Sequence, residues 1–244
     1  RPFRAPHDNI SPQGLAGGGV VPHPGEISLA HGGVLFLDEL PEFSRQTMEC
    51  LRQPLEDGKV TISRVSASLT YPCSFMLVAA MNPCPCGYYG HPTRACTCTA
   101  AAATRYMNKV SGPLLDRVDL HIEVPPVEFA HLSSGEKAES SAAIKARVNA
   151  ARAVQRARFA GTNIVSNATI PTGKLQEMCP LSDAAKTMLA GAFERMGLSA
   201  RAYDRLLKVA RTIADLAGSE TLEVAHVAEA IQYRSLDRKY WQTR

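Results

Sequence analysis

Val34-Leu35-Phe36-Leu37-Asp38-Glu39 is the stretch from which the fold is read. Four apolar residues in a row, closed by two carboxylates, suit a strand buried on both faces of a parallel sheet, which has no solvent side and so needs no alternation. Open α/β sheets hold their ligands beyond the carboxyl ends of their strands, so Asp38 and Glu39 fall where a ligand would sit. A solvated acidic turn would use the same two residues. The neighbouring sequence has to decide between them.

Downstream, Ser44 is placed to cap a helix carrying Met48, Leu51 and Leu55, which Pro54 should kink or end. Asp57-Gly58 marks a turn, and Val60 to Val65 with Ser68 to Tyr71 alternates as a β-hairpin does. Phe75 to Ala80 is a second continuous apolar run, ending at Met81-Asn82-Pro83. A helix is expected near 100–109. Leu120 to Val124, closed by Pro125-Pro126, reads as a third sheet strand. Upstream, residues 1–33 are rich in Gly, Pro and His and read as loop with one short helix.

Beyond about residue 128 the chain turns Ala-rich, with helices expected near 139–159, 182–196, 199–217 and 222–234. Leu206, Val209, Ile213 and Leu216 recur at helical spacing as one apolar stripe. In the helix near 139–159, Lys145, Arg152 and Arg156 lie along one side and Ile144, Val148 and Ala151 along another; a solvated face or a DNA contact would use such cations. Strands alternating with helices, then helices alone, predict an α/β domain over 1–128 and an all-α domain over 129–244.

The 244 residues can bury a substantial core, and 45% apolar with 20% charged is an ordinary globular balance. No apolar stretch approaches the ~20 residues that cross a bilayer, and no secretory signal opens the chain, so a cytoplasmic protein without a membrane partner is expected. A net charge of +4 does not by itself argue for nucleic acid.

Gly25-Glu26-Ile27-Ser28-Leu29-Ala30-His31-Gly32-Gly33 leads into the first strand, Pro41-Glu42-Phe43 follows it, and Pro54-Leu55-Glu56-Asp57-Gly58-Lys59-Val60 comes a helix later. With Arg1 to His7, Ala79 to Gly87, Ser111 to Asp119 and Leu198 to Ala202, this succession resembles AAA+ ATPases of the ComM and magnesium chelatase-like group. The resemblance covers nearly the whole chain.

It implies an incomplete P-loop-type parallel sheet followed by a helical lid. Asp38 would coordinate Mg2+ beside ATP, and Glu39 would be the general base of Walker B. Asn82 would be the sensor-1 residue, although Asn-Pro also suits a plain strand-end turn. Arg117 would be an arginine finger offered to the next subunit of a homo-hexamer; an ion pair with Asp116 or Asp119 is the plainer account. Arg201 would be the sensor-2 arginine that brings the lid onto nucleotide, with Arg205 one turn later as its rival and ordinary helix solvation as the plain account.

The segment Lys59 to Tyr71, with Lys59 and Arg64, would line a central pore and touch DNA phosphates, or form an ordinary surface hairpin. The glycines of 14–20 would belong to a second pore loop. The activity implied is ATP-driven movement of DNA strands in recombination. A subunit of a metal-insertion complex, or a non-hydrolytic zinc-bearing module, are the alternatives.

No Gly-x-x-x-x-Gly-Lys-Ser/Thr string occurs in the chain, so the backbone cradle for the β- and γ-phosphates is missing and the chain alone is expected not to hydrolyse ATP. Cys84-x-Cys86 and Cys96-x-Cys98 flank a Gly/Pro loop, and two such pairs can supply four thiolates to a structural Zn2+. His91 could replace one of them. Disulfides and free thiols remain the alternatives.

Overall fold

The computed structural model describes residues 1–63, 68–125 and 138–234, which fall into two compact units, 1–118 and 119–244. The first unit is built on a three-stranded sheet. In chain order it comprises β1 (Phe3–Arg4), α1 (Pro12–Ala16), β2 (Gly17–Gly18), β3 (His23–Pro24), α2 (Glu26–Leu29), β4 (Val34–Leu37), α3 (Arg45–Glu49), α4 (Arg52–Asp57), β5 (Lys59–Ser63), β6 (Ser68–Pro72), β7 (Met76–Ala79), α5 (Ala100–Met107) and α6 (Gly112–Leu115). The sheet runs β1-β4-β7, all parallel, with Val34 opposite Met76 and Leu37 opposite Ala79.

One face of this sheet is closed and the other is open. Leu35 and Leu37 are fully buried, together with Leu15, Ile27, Leu40, Met48 and Leu51. On the opposite face Phe3 and Met76 are each 64% exposed and Val78 is exposed as well, with Phe3 stacked on Phe36 at 6.2 Å. Parallel sheets ordinarily have both faces covered, so this apolar surface lacks a lid among the described residues. Gly33 is required by the close approach of β1: a Cβ there would stand 1.9 Å from the Pro2 carbonyl oxygen, which accepts the Val34 N–H at 2.9 Å.

The helix expected from Ser44 begins where predicted, with Ser44 Oγ accepting the Thr47 N–H at 3.1 Å. It breaks at Cys50–Leu51 rather than at Pro54. Pro54 has no N–H for the carbonyl four residues earlier, so the ladder fails at Cys50 and helix resumes from Arg52 to Asp57. The hairpin forms as β5 and β6, antiparallel from Lys59–Pro72 to Ser63–Ser68. Residues 1–33 hold more structure than the loop expected of them, including the strand β1 that completes the sheet.

Leu120 to Val124 does not form the third sheet strand. Leu120, Ile122 and Val124 are exposed and make no ladder, while the His121 N–H donates to the Tyr233 carbonyl at 2.7 Å. Alternation gives a segment strand character only when a neighbouring strand supplies hydrogen bonds, and none does so here among the described residues.

The second unit is helical: α7 (Ser141–Arg158), α8 (Leu175–Met178), α9 (Asp183–Met196), α10 (Ala200–Leu216) and α11 (Val224–Gln232). Ser140, Ser182 and Ser199 cap α7, α9 and α10, which is why these helices start close to their predicted positions. Leu189, Leu206, Leu207, Leu222 and Val227 form its core with Phe159, Ile170 and Leu175. On α7, Ile144 and Val148 are exposed and only the Ala151 side is buried, so the expected apolar face is confined to its C-terminal half.

The predicted stripe on α10 is rotated. Leu216 is exposed and Val209 and Ile213 are half-buried, whereas Arg211 and Asp215 join Leu206, Leu207, Ala210 and Ala214 inside. Two charges tolerate this because every nearby group answers them. Asp215 pairs with Arg158 and, at 3.1 Å, with Arg211, and accepts from Asn167 Nδ2 at 2.7 Å; Arg211 also donates to the carbonyls of Ser219 and Glu220. Burial pushes the Asp215 carboxyl up, but the bonds from Arg158 and Asn167 outweigh it and the net shift is downward. A carboxyl lowered on folding gives stability that is present above its unfolded value and lost as pH falls through the folded one.

Asp215→Ala is expected to cost about 3–5 kcal/mol in urea unfolding, since it strands Arg158 and Arg211. Asp215→Asn should flatten the loss of stability that the native chain shows below about pH 4.

Candidate functional site

The acidic pair leaves β4 at the carboxyl end of the sheet, the same end at which β7 delivers Asn82. Two backbone hydrogen bonds set this juxtaposition: Ala80 N–H to Leu37 carbonyl and Leu40 N–H to Ala80 carbonyl, both 2.9 Å. Asp38 and Glu39 therefore form a turn pinned at both ends to the β7 exit, and Asn82 follows two residues after Ala80. All three side chains are exposed. Asp38 Oδ1 accepts the Glu39 N–H at 2.9 Å.

Glu39 has φ 51 and ψ 47, and it is the one non-glycine residue with positive φ among the described residues. That conformation costs a non-glycine residue on the order of 1–3 kcal/mol, and such strain concentrates at sites that use it. Buried Leu40 and Pro41 immediately after it hold the turn in place.

The cysteine loop adjoins Asn82. Cys84 is fully buried, and Asn82 Oδ1 lies 4.0 Å from where a Cβ on Gly87 would stand. Gly87, at φ 80, makes the turn in which its N–H bonds the Cys84 carbonyl at 3.0 Å. The sulfurs of Cys84, Cys86 and Cys96 are 3.4, 3.5 and 3.7 Å apart, and all four, with Cys98, fall within 4.8 Å of one another. Tetrahedral thiolates about 2.3 Å from a zinc ion would be ~3.8 Å apart, so the set suits a four-coordinate soft metal with no open position. The Tyr88 N–H, the first contributor, draws the Cys86 thiol down to about 5. His91 is not one of the converging groups; its Nδ1 instead accepts from the Thr93 and Arg94 N–H groups at 3.2 and 3.1 Å.

Tyr106 of α5 is buried between the two features. Burial pushes its phenol up, and the negative charges of Glu42, Glu39 and Cys84 add to the shift. Neither Tyr106 nor Glu56 was visible as a site residue in the sequence, since their roles rest on packing.

Arg117 follows α6 with its side chain only 9% exposed. Its Nη1 donates to the Pro113 carbonyl at 2.7 Å, its Nη2 pairs with Glu56, and its Nε is buried with no partner among the described residues. The ion-pair partner seen is thus Glu56, where the sequence suggested Asp116 or Asp119. Asp119 pairs with Arg205 at 2.6 Å, which ties up the rival sensor-2 candidate. Arg201 is exposed in the first turn of α10, within the second unit.

On the first unit, the Gly-rich ribbon β2–β3 lies beside the hairpin. A Cβ at Gly17 would stand 2.6 Å from Ile62 Cδ1, and the Tyr71 hydroxyl donates to the Pro22 carbonyl at 3.4 Å. The ribbon tip presents Val20, 97% exposed. Lys59 is exposed at the base of β5, and Arg64 lies outside the described residues.

A parallel sheet with acidic and amide groups at its carboxyl edge, joined in sequence to a helical unit, defines a P-loop-type α/β fragment with a helical region. Residues 1–132 match the family model of the magnesium chelatase subunit ChlI, and residues 138–234 match that of the ChlI C-terminal region. The chain belongs to this family, the AAA+ ATPases of the ComM and magnesium chelatase type.

It is 48% identical over 240 residues to an uncharacterized protein, YifB, of Escherichia coli, and 47% identical over 240 residues to the competence protein ComM of Haemophilus influenzae. It is 41% identical over 234 residues to an uncharacterized protein, Rv2897c, of Mycobacterium tuberculosis. These alignments take in 96–98% of this chain and 46% of each relative, so the chain spans about half the length of the relatives it matches.

The strain at Glu39 predicts that Glu39→Gly stabilises the chain by about 1 kcal/mol, raising Tm by roughly 2–4 °C while removing the carboxylate. Calorimetry showing a lower Tm than wild type would mean that the turn is relaxed.

Proposed function

We propose that this chain is part of a hexameric AAA+ motor that uses ATP to move DNA strands, as in branch migration during recombination. The observation that supports this best is the pinning of Asp38 and Glu39 beside Asn82 at the carboxyl edge of the parallel sheet. Asp38 would hold Mg2+ beside the triphosphate, where the ion would screen the phosphate charge. Glu39 takes a proton from the attacking water, and Asn82 orients that water. These are hard oxygen donors and an exposed amide, suited in kind to such a ligand.

Two unmet needs favour a larger whole. Among the described residues the open sheet face has no cover, and Leu120 to Val124 has strand alternation without a strand partner. Relatives of twice the length, and a sequence here with no phosphate loop, agree with a further segment that supplies both the cover and the phosphate cradle. By itself this chain does not turn over ATP.

Arg117 acts across the subunit boundary. In the isolated chain it is stowed against Glu56, so assembly exchanges that carboxylate for the neighbour's γ-phosphate. Arg201 brings the helical lid onto nucleotide, and Lys59 with the adjoining Gly-rich ribbon contacts DNA. Competence, in the printed name of the Haemophilus relative, favours DNA over metal insertion as the substrate.

In the full-length protein, ATP-driven unwinding of a branched DNA should fall by about 10²–10⁴ with Glu39→Gln. Mixing Arg117→Ala subunits into wild type should depress the rate more steeply than dilution does. Full unwinding with Glu39→Gln sinks the assignment, and a linear mixing curve sinks the shared site.

Cys84, Cys86, Cys96 and Cys98 would hold a structural Zn2+, which would cross-link the loop that follows Asn82. Freshly purified, reduced chain is expected to carry one zinc per molecule by elemental analysis, with Cys96→Ser lowering both zinc content and Tm. Metal well below one equivalent in the wild-type chain would count decisively against it.

A further inference from the structure

Between Asp57 and Asp116 the chain contains no Asp or Glu, yet Lys59, Arg64, Arg94, Arg105 and Lys109 all fall there. Five cations without one anion exceed the +4 of the whole chain. This interval holds the hairpin β5–β6, the cysteine loop and α5. Lys109 is paired with Glu42 at 3.2 Å, whereas Lys59, Arg94 and Arg105 are exposed; charge of one sign gathered in consecutive elements marks a surface for a polyanion.

Within the interval, the cysteine loop carries an organised aromatic and cationic surface that the nucleotide site does not use. Tyr88 is half-buried. The Arg94 guanidinium lies over its ring at 5.3 Å and donates to its hydroxyl at 2.8 Å, while His91 packs edge-on at 5.7 Å. The His91 Nδ1 is occupied by the Thr93 and Arg94 backbone N–H groups, which sets the ring orientation. Arg94 is thereby held, yet its guanidinium makes a single hydrogen bond among the described residues and remains exposed. Next to it Tyr89 points outward, 58% exposed. Of two consecutive tyrosines, one is the platform beneath an arginine and the other is bare.

We infer that this loop surface, Tyr89 with Arg94 and His91, binds single-stranded nucleic acid, with a base stacked on Tyr89 and a phosphate on Arg94. A bare aromatic face next to a fixed guanidinium is the pairing that holds an unpaired strand without reading its sequence. A duplex hides its base faces and would leave Tyr89 without a partner. An acidic peptide would satisfy Arg94 and also leave Tyr89 unused. The inference extends the reading of the chain as part of a DNA motor, adding a contact separate from the hairpin.

The test is fluorescence anisotropy of a short labelled oligothymidylate titrated with this chain at low salt, without nucleotide triphosphate. Tyr89→Ala should weaken binding about tenfold or more, while Tyr89→Phe keeps it, because stacking needs only the ring. Arg94→Ala should reduce the slope of log K against log salt by about 0.7. Lys59→Ala on the hairpin should weaken binding while leaving the Tyr89 effect intact. Ultraviolet cross-linking of the wild-type chain, which needs no variant to fold, should mark Tyr89.

Equal binding by wild type, Tyr89→Ala and Arg94→Ala would overturn the inference. So would equal competition by duplex or polyglutamate, or cross-links confined to other elements. Since ATP is absent, failure here leaves the Glu39 assignment standing, and failure of Glu39→Gln to stop unwinding leaves this surface standing.

Discussion

Two backbone hydrogen bonds from Ala80, the residue following β7, to Leu37 and Leu40 on either side of the acidic turn carry the rest of the site. Leu37 and Ala80 exchange one, Ala80 and Leu40 the other, and between them Asp38 and Glu39 are bent outward in a turn. The turn needs Glu39 in a left-handed conformation that favours glycine. Its cost is met by the burial of Leu35, Leu37 and Leu40 on either side. A register shift of one residue along β4 would move the turn off the β7 exit, so the pairing of Leu37 with Ala79 also fixes where the carboxylates stand.

The first unit has features that are satisfied internally and others that are not. Its closed face, the paired hairpin and the Glu49–Arg52–Ser111 hydrogen bonds need nothing further. The open sheet face lacks cover and the buried Nε of Arg117 lacks a partner among the described residues, and Lys59, Arg94 and Arg105 are exposed in a stretch without carboxylates. The helical unit differs in kind. Half-buried Arg158 and buried Arg211 and Asp215 answer one another, which makes α7, α10 and the turn into α11 a self-contained block.

The strand at 34–37, the hairpin and the long helices were legible because each rests on local signals: an apolar run, alternation, or a serine cap. The convergence of the four cysteines was legible from their pairing around a Gly/Pro loop. Three things were not. The helix break at Cys50 depends on which carbonyl Pro54 fails to meet, and Leu120 to Val124 carries a strand's pattern without a neighbour among the described residues. The inward charges of α10 contradict the stripe that hydrophobicity alone selects, because a carboxylate and two guanidiniums bury together only when folding brings them together. The pairing of Arg117 with Glu56, 61 residues earlier, belongs to the same class of long-range contact.

The most direct measurement is the structure of the full-length protein with Mg2+ and a non-hydrolysable ATP analogue. The account predicts the metal on the Asp38 side of the turn, the γ-phosphate within reach of Glu39 and Asn82, and Arg117 released from Glu56 onto the neighbour's phosphate. Nucleotide bound at a distance from the β4–β7 edge, with Arg117 still paired to Glu56 in the assembled ring, would contradict it.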